Sequence, residues 1–143
     1  MGGIGVVVTL AYLAFQIRQN TRVVQTTNFQ NVLEASSHFT SAITGNAEVA
    51  DIYRRGMVSY TQLSETEQIR FHGLVSELFT AAQLTYQLNA RHLIDETLYQ
   101  GHQNSIMLLL RAPGVREWLV SNQSWYHGDF RTFVENAIRP PAA

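Results

Sequence analysis

The first seventeen residues of the chain contain no charged side chain. Residues 2–17 read GGIGVVVTLAYLAFQI, and the first charges are Arg18 and Arg22. Apolar side chains occupy every face of a helix built from this run, which is typical of a helix covered by lipid or by other helices. At about 1.5 Å per residue the run is roughly 24 Å long, which is shorter than the roughly 30 Å hydrocarbon core of a bilayer.

Three structures are possible for this run: the end of a longer membrane span, a short membrane span around which the bilayer thins, or a buried helix of a bundle. A secretory signal is disfavoured, because no basic region precedes the run and no A-x-A-like site follows it. We predict a membrane helix over residues 1–20, with residues 2–17 in contact with lipid. Arg18 and Arg22 then place the remainder in the cytoplasm, as a single-pass inner-membrane protein. A cytoplasmic protein is the alternative.

Composition limits the classes of function. The chain has 143 residues, which indicates one domain, and its charged fraction of 15% is below the roughly 25% of ordinary soluble domains. Ten arginines, no lysine and eleven acidic residues leave no basic surplus, so we expect no nucleic-acid partner. The absence of cysteine excludes disulfides, cysteine nucleophiles and thiolate metal sites.

Helix start and stop signals divide the remaining sequence into separate predicted helices. Residues 17–44 contain no Gly or Pro and carry apolar side chains at helical spacing, so the first helix continues to Gly45-Asn46. A short helix over residues 48–57 follows. Ser64 and Glu67 have the spacing of a capping box and begin a central helix that is apolar over most of its circumference.

Two further signals define the C-terminal part. Asp95 has the position of an N-cap for a helix to about Arg111, and Pro113 opens another helix that ends near Ser121. A final short helix follows Gly128. No alternating strand pattern remains. We predict an all-α fold: a long N-terminal helix and an antiparallel bundle of four to five shorter helices over residues 21–139, with 140–143 as a tail.

Several short sequences resemble those of a known family. They are YLAFQIRQNT at residues 12–21, IYRRG at 52–56, LSE at 63–65 followed by Arg70-Phe71, and APGVR at 112–116 followed by Trp118. In this order they resemble a widespread bacterial family of uncharacterised, predicted single-span proteins. The resemblance implies a membrane helix that continues into a small helical domain, and it implies no activity.

Histidine offers the main candidate chemistry, because its ordinary pKa suits acid–base reactions near neutrality. The five histidines show neither an HExxH nor a Glu-x-x-His spacing, and Glu34 with His38 is only a fragment of a metal site. We therefore expect no metal, no cofactor and no catalytic residue. Candidates for a polar site between the central helices are His72, Glu77, Tyr86 and His102.

Tyr86 and His102 are expected to meet. If the third and fourth helices form an antiparallel hairpin that turns near residues 92–95, equal counts from the turn place these two residues opposite each other. A phenol and an imidazole would then satisfy each other inside the core. The aromatic C-terminal section, which includes Trp118, Trp125 and Phe130, is expected to fill the core, and an interaction surface or an interfacial belt is the alternative.

Two functions fit these patterns. The first is a noncatalytic, membrane-anchored helical protein that acts as an oligomeric or accessory subunit of a membrane complex. The alternative is a soluble or peripheral bundle that binds a small molecule or metal between its central helices.

Overall fold

The computed structural model describes residues 2–123, 126 and 128–139, and this part of the chain contains helices and no strand. The helices are α1 (Gly2–Thr44), α2 (Ala47–Val58), α3 (Glu65–Ala90), α4 (Glu96–Leu109), α5 (Pro113–Ser121) and α6 (Gly128–Ile138). The predictions of an all-α fold and of a long N-terminal helix are confirmed. Trp125, His127 and the tail over residues 140–143 lie outside the described residues.

The helices begin where local capping chemistry predicts. The Asn46 side chain accepts the backbone N–H of Glu48 over 2.9 Å at the start of α2, and the Asp95 side chain accepts that of Thr97 over 3.0 Å at the start of α4. The capping box of Ser64 and Glu67 is present at the start of α3. The predicted end of α4 is less accurate, since this helix ends at Leu109, two residues before Arg111.

Helix α3 is the centre of the bundle and packs against α1, α2, α4 and α6. Its buried side chains meet those of α5 and α6 in one core. Fully or almost fully buried side chains in this core include Phe71, Val75, Phe79, Val115, Trp118, Phe130 and Val134. The central position predicted for α3 is confirmed. Its apolar circumference is not buried throughout, because Ile69 remains 72% exposed.

Helix α1 has two parts with different surroundings. In residues 25–44, Val32 is buried and the Phe39 ring packs edge-on against Tyr53, with 5.4 Å between ring centroids. Residues 5–24, which we call the projecting segment, are all exposed. At about 1.5 Å per residue this segment is about 30 Å long.

The predicted membrane helix is not supported by the structure. Among the residues it describes, none of the helices combines the length and the apolarity that a membrane crossing requires. The physical reason is the short apolar run, because Gln16, Arg18, Gln19 and Asn20 bring polar groups into α1 before a full span is complete.

Candidate functional site

The four polar residues predicted as a bundle site do not form one cluster. His72 lies against α5, where its Nδ1 accepts a hydrogen bond from Trp118 Nε1 over 3.1 Å. The two rings are 5.7 Å apart between centroids, and Trp118 is completely buried. This contact satisfies the indole N–H in the core, as buried polar groups require.

Glu77 lies on a different side of α3. It lines a groove of about 290 Å³ between α1 and α3, together with Asn31, Val32, Gly73 and Thr80. The spacing of five residues between His72 and Glu77 accounts for the separation, because such positions do not face each other on a helix. The groove surface is mostly apolar, and its polar side chains besides Glu77 are Asn31, Ser76 and Thr80.

Tyr86 and His102 do come together, as the hairpin count predicts. Both line a cavity of about 10 Å³ between α3, α4 and α6, with Tyr99, Gln103 and Phe133. The expected hydrogen bond is wrong, however: among the described residues, the buried Nε2 atom of His102 has no hydrogen-bond partner. The Tyr86 ring instead packs against Phe130 and Phe133, with centroids 5.7 and 5.6 Å away.

The electrostatics of this cavity favour uncharged side chains. Burial lowers the pKa of His102 below its ordinary value of 6.5, which favours the neutral imidazole. Burial also raises the pKa of Tyr99, with smaller contributions from Tyr86 and Glu96, and keeps its phenol protonated. Ligand pockets have volumes of roughly 300–1,000 Å³. The volume of this cavity is far below that range, so the cavity is a small packing void beside His102 rather than a ligand pocket.

No metal centre emerges from residues 2–123, 126 and 128–139, in which no three His, Asp or Glu side chains are placed to hold an ion. Glu34 and His38 share α1, and both are exposed.

Two hydrogen bonds join α1 to the bundle just after the projecting segment. Gln25 Nε2 donates to the carbonyl oxygen of His92 over 3.2 Å, and Asn28 Nδ2 donates to that of Leu93 over 2.9 Å. His92 has a φ of 57°, and the carbonyl groups of His92 and Leu93 in the turn between α3 and α4 face α1. These contacts were not predicted from the sequence, because each hydrogen bond joins residues that are 67 or 65 positions apart.

The projecting segment itself is an unusual surface. Its large apolar side chains between Val6 and Ile17 are each between 46% and 66% exposed. They are Val6, Val7, Val8, Leu10, Tyr12, Leu13, Phe15 and Ile17. Large continuous apolar surfaces are rarely exposed on monomeric soluble proteins.

The Glu67 and Glu117 carboxylates hold the loop between α2 and α3, and of their contacts only the capping box of Ser64 and Glu67 was predicted from the sequence. The Glu67 carboxylate accepts the Ser64 N–H over 2.9 Å and also pairs with Arg55. The Glu117 carboxylate of α5 accepts the Thr61 N–H over 3.0 Å and the Ser59 hydroxyl over 3.1 Å. Both carboxylates form hydrogen bonds or ion pairs with other parts of the chain, so these contacts have a structural role.

Comparisons of the chain with protein-family models, with curated proteins and with solved structures find no match.

Proposed function

We propose that this protein is a noncatalytic helical module that attaches to a membrane through its projecting segment and acts as an oligomeric or accessory subunit of a membrane complex. The observation that carries the proposal is the exposure of the apolar side chains from Val6 to Ile17. Burial of a large aliphatic or aromatic side chain contributes about 1.5–3 kcal/mol. Transfer of this surface from water into lipid is therefore strongly favourable.

The helix also supplies the backbone chemistry that lipid requires, since it pairs its own N–H and C=O groups. Two polar side chains also form hydrogen bonds within the helix. The Thr9 hydroxyl donates to the Gly5 carbonyl oxygen over 2.8 Å, and the Gln16 amide donates to the Tyr12 hydroxyl over 3.0 Å. A roughly 24 Å apolar run is shorter than the bilayer core, so its full insertion would require the bilayer to thin around it.

The charge distribution supports a cytoplasmic position for the bundle. Arg18 and Arg22 follow the uncharged run on its bundle side, and positively charged flanks remain on the cytoplasmic side of membranes. The proposed location is accordingly the inner membrane, with α2 to α6 in the cytoplasm.

The arrangement of the polar side chains supports a noncatalytic role. His72 and Glu77 lie on separate sides of α3, and the cavity beside His102 has a volume of about 10 Å³. A catalytic constellation needs a nucleophile or a base within hydrogen-bond reach of a substrate position. The proposal therefore assigns the protein its role through contacts with other membrane components.

Cell fractionation tests the attachment. The full chain should remain in the membrane pellet after an alkaline carbonate wash, and the Val7→Arg variant should appear in the wash. An arginine in the middle of an inserted helix costs about 2.5–3.5 kcal/mol on insertion scales. Ile69→Arg is the matched control, because Ile69 is equally exposed but lies on α3, and this variant should remain in the pellet. Attachment unchanged by Val7→Arg would overturn the proposal.

The subunit role has its own measurement. Mild-detergent extracts should contain the chain as a discrete oligomer or with constant protein partners. Extraction as a monomer without partners would contradict this part of the proposal and leave the attachment standing.

A further inference from the structure

We propose that the membrane partner of the projecting segment is an anionic phospholipid surface, whose headgroups are bound by Arg18 and Arg22. This inference rests on the proposed membrane attachment and adds the chemical class of lipid. It starts from charge rather than from apolarity, so it can fail while the attachment stands.

The charge of the projecting segment is uncompensated. Arg18 and Arg22 are its charged side chains, and the first acidic residue of the sequence is Glu34. Both arginines are exposed, and the ion pairs of the described residues involve neither of them. The chain as a whole has a formal net charge of −1, so the positive charge is a local property of this part of α1.

Four bundle arginines, Arg54, Arg55, Arg70 and Arg131, form ion pairs with acidic side chains among the described residues. Arg54 pairs with Asp51 over 2.7 Å, Arg70 pairs with Glu48 over 2.8 Å, and Arg131 pairs with Glu135 over 2.7 Å. Arg18 and Arg22 are four residues apart and therefore share one face of α1. Two guanidinium groups on one face, without a carboxylate, suit the phosphate oxygens of a lipid surface.

The position of the arginines also fits a headgroup layer. The hydrogen bond from Gln25 to His92 marks where α1 leaves the bundle. Arg22 lies about one turn and Arg18 about two turns beyond this contact, roughly 5 and 10 Å along the helix. The acidic residues Asp95 and Glu96 follow the turn that Gln25 contacts, and the Asp95 carboxylate accepts the backbone N–H groups of Thr97 and Leu98.

When the uncharged run enters the hydrocarbon, both guanidinium groups are therefore left between the bilayer core and the bundle, at the depth of the lipid phosphates. Long arginine side chains reach this layer readily, because their aliphatic stems lie along apolar surface. Each arginine near an anionic surface strengthens binding, and the two together should raise the vesicle partition coefficient roughly 30-fold.

Vesicle flotation tests the inference. The full chain is synthesised without cells in the presence of vesicles of phosphatidylcholine alone, or of an equimolar mixture of phosphatidylcholine and phosphatidylglycerol. The test variant is Arg18→Gln/Arg22→Gln. The control is Arg111→Gln/Arg139→Gln, which removes the same charge from two exposed arginines after α4 and after α6. A salt series accompanies each measurement, because screening weakens contacts between exposed charges.

We expect the native chain and the control to bind the mixed vesicles roughly 30-fold more strongly than phosphatidylcholine vesicles, and the test variant to lose this preference. Equal binding of the native chain to both vesicles would overturn the inference and leave the attachment intact. An equal loss in the control would also overturn it, because net charge rather than the arginine pair would then be responsible. Failure to bind either vesicle would overturn the proposed attachment itself.

Discussion

Gly114, near the start of α5, packs directly against the carbonyl oxygen of Gly56 in α2. A Cβ on Gly114 would lie 1.7 Å from that oxygen, and a Cβ on Gly56 would lie 2.2 Å from the Phe71 ring. The two short sequences IYRRG and APGVR, which are far apart in the chain, therefore meet where α2, α3 and α5 converge. Both glycines are required by close approach of helices rather than by their φ angles.

This contact predicts that Gly114→Ala destabilises the fold. The new methyl group meets backbone atoms, which cannot rotate away, so α5 must shift from α2 at a cost of about 1–3 kcal/mol. Gly73→Ala in α3 is the control, since a Cβ there meets nothing within 4 Å, and it should stabilise the helix by about 0.5–1 kcal/mol. Urea unfolding measures both changes. Equal effects of the two substitutions would contradict the packing argument.

The Glu67 carboxylate gives stability a dependence on acidic pH. Its hydrogen bonds to Arg55 and then to Ser64 lower its pKa from 4.5 to about 2. A carboxyl group with a depressed pKa contributes stability that is fully present above its unfolded pKa and is lost as the pH falls through its folded pKa. Stability should therefore decline between pH 4.5 and about 2.

A Glu67→Gln variant should show a smaller decline over the same range. Glu65→Gln, in the same first turn of α3, serves as the control because Glu65 forms no ion pair among the described residues. The measurement is the unfolding free energy of the native chain and of both variants across this acidic range. A Glu67→Gln profile that coincides with the native profile would refute the assignment.

The Glu117 carboxylate supports a loop that no local pattern identifies. Its bonds to Ser59 and Thr61 fix the connection between α2 and α3 on α5, and the bond from the Thr61 N–H is the main reason that its pKa is lowered. Water competes with these hydrogen bonds at the protein surface, so Glu117→Ala should destabilise the protein by about 1.5 kcal/mol, the lower end of the range for hydrogen bonds to charged groups. Glu135→Ala, on the exposed face of α6, should change the unfolding free energy by less than about 1 kcal/mol.

The sequence predicts contacts between residues close together in the chain, such as helix caps, but not contacts between residues far apart in the chain. Ser64, Glu67 and Asp95 identify helix starts, because a cap and the amide it satisfies are two or three residues apart. The bonds from Gln25 to His92 and from Thr61 to Glu117 join residues separated by 67 and 56 positions, and no local rule selects those partners.

The candidate polar site shows the same division. Tyr86 and His102 lie at equal distances from one turn, so counting along the hairpin predicts that they share a cavity. Their hydrogen bond depends on side-chain rotamers, and the aromatic rings of α6 draw the Tyr86 ring into a cluster with Phe130 and Phe133. His72 and Glu77 are both on α3, but the packing of α5 and α1 separates their surroundings.

His102 provides the sharpest test between a core histidine and a ligand site. Its buried Nε2 atom has no partner among the described residues, and an unsatisfied buried polar atom costs about 1–3 kcal/mol. His102→Leu fills a similar volume without that atom. The unfolding free energy at neutral pH should therefore stay unchanged or rise by about 1 kcal/mol.

The same substitution should remove a dependence on pH. Burial lowers the pKa of His102 below 6.5, so the unfolded chain binds the proton more readily than the folded chain. The stability contributed by the neutral imidazole is fully present above pH 6.5 and is lost as the pH falls below that value. His102→Leu should flatten this part of the stability profile, whereas His38→Leu, at an exposed position of α1, should leave it unchanged. A marked loss of stability in His102→Leu at neutral pH would contradict the assignment of Nε2 as an unsatisfied buried atom.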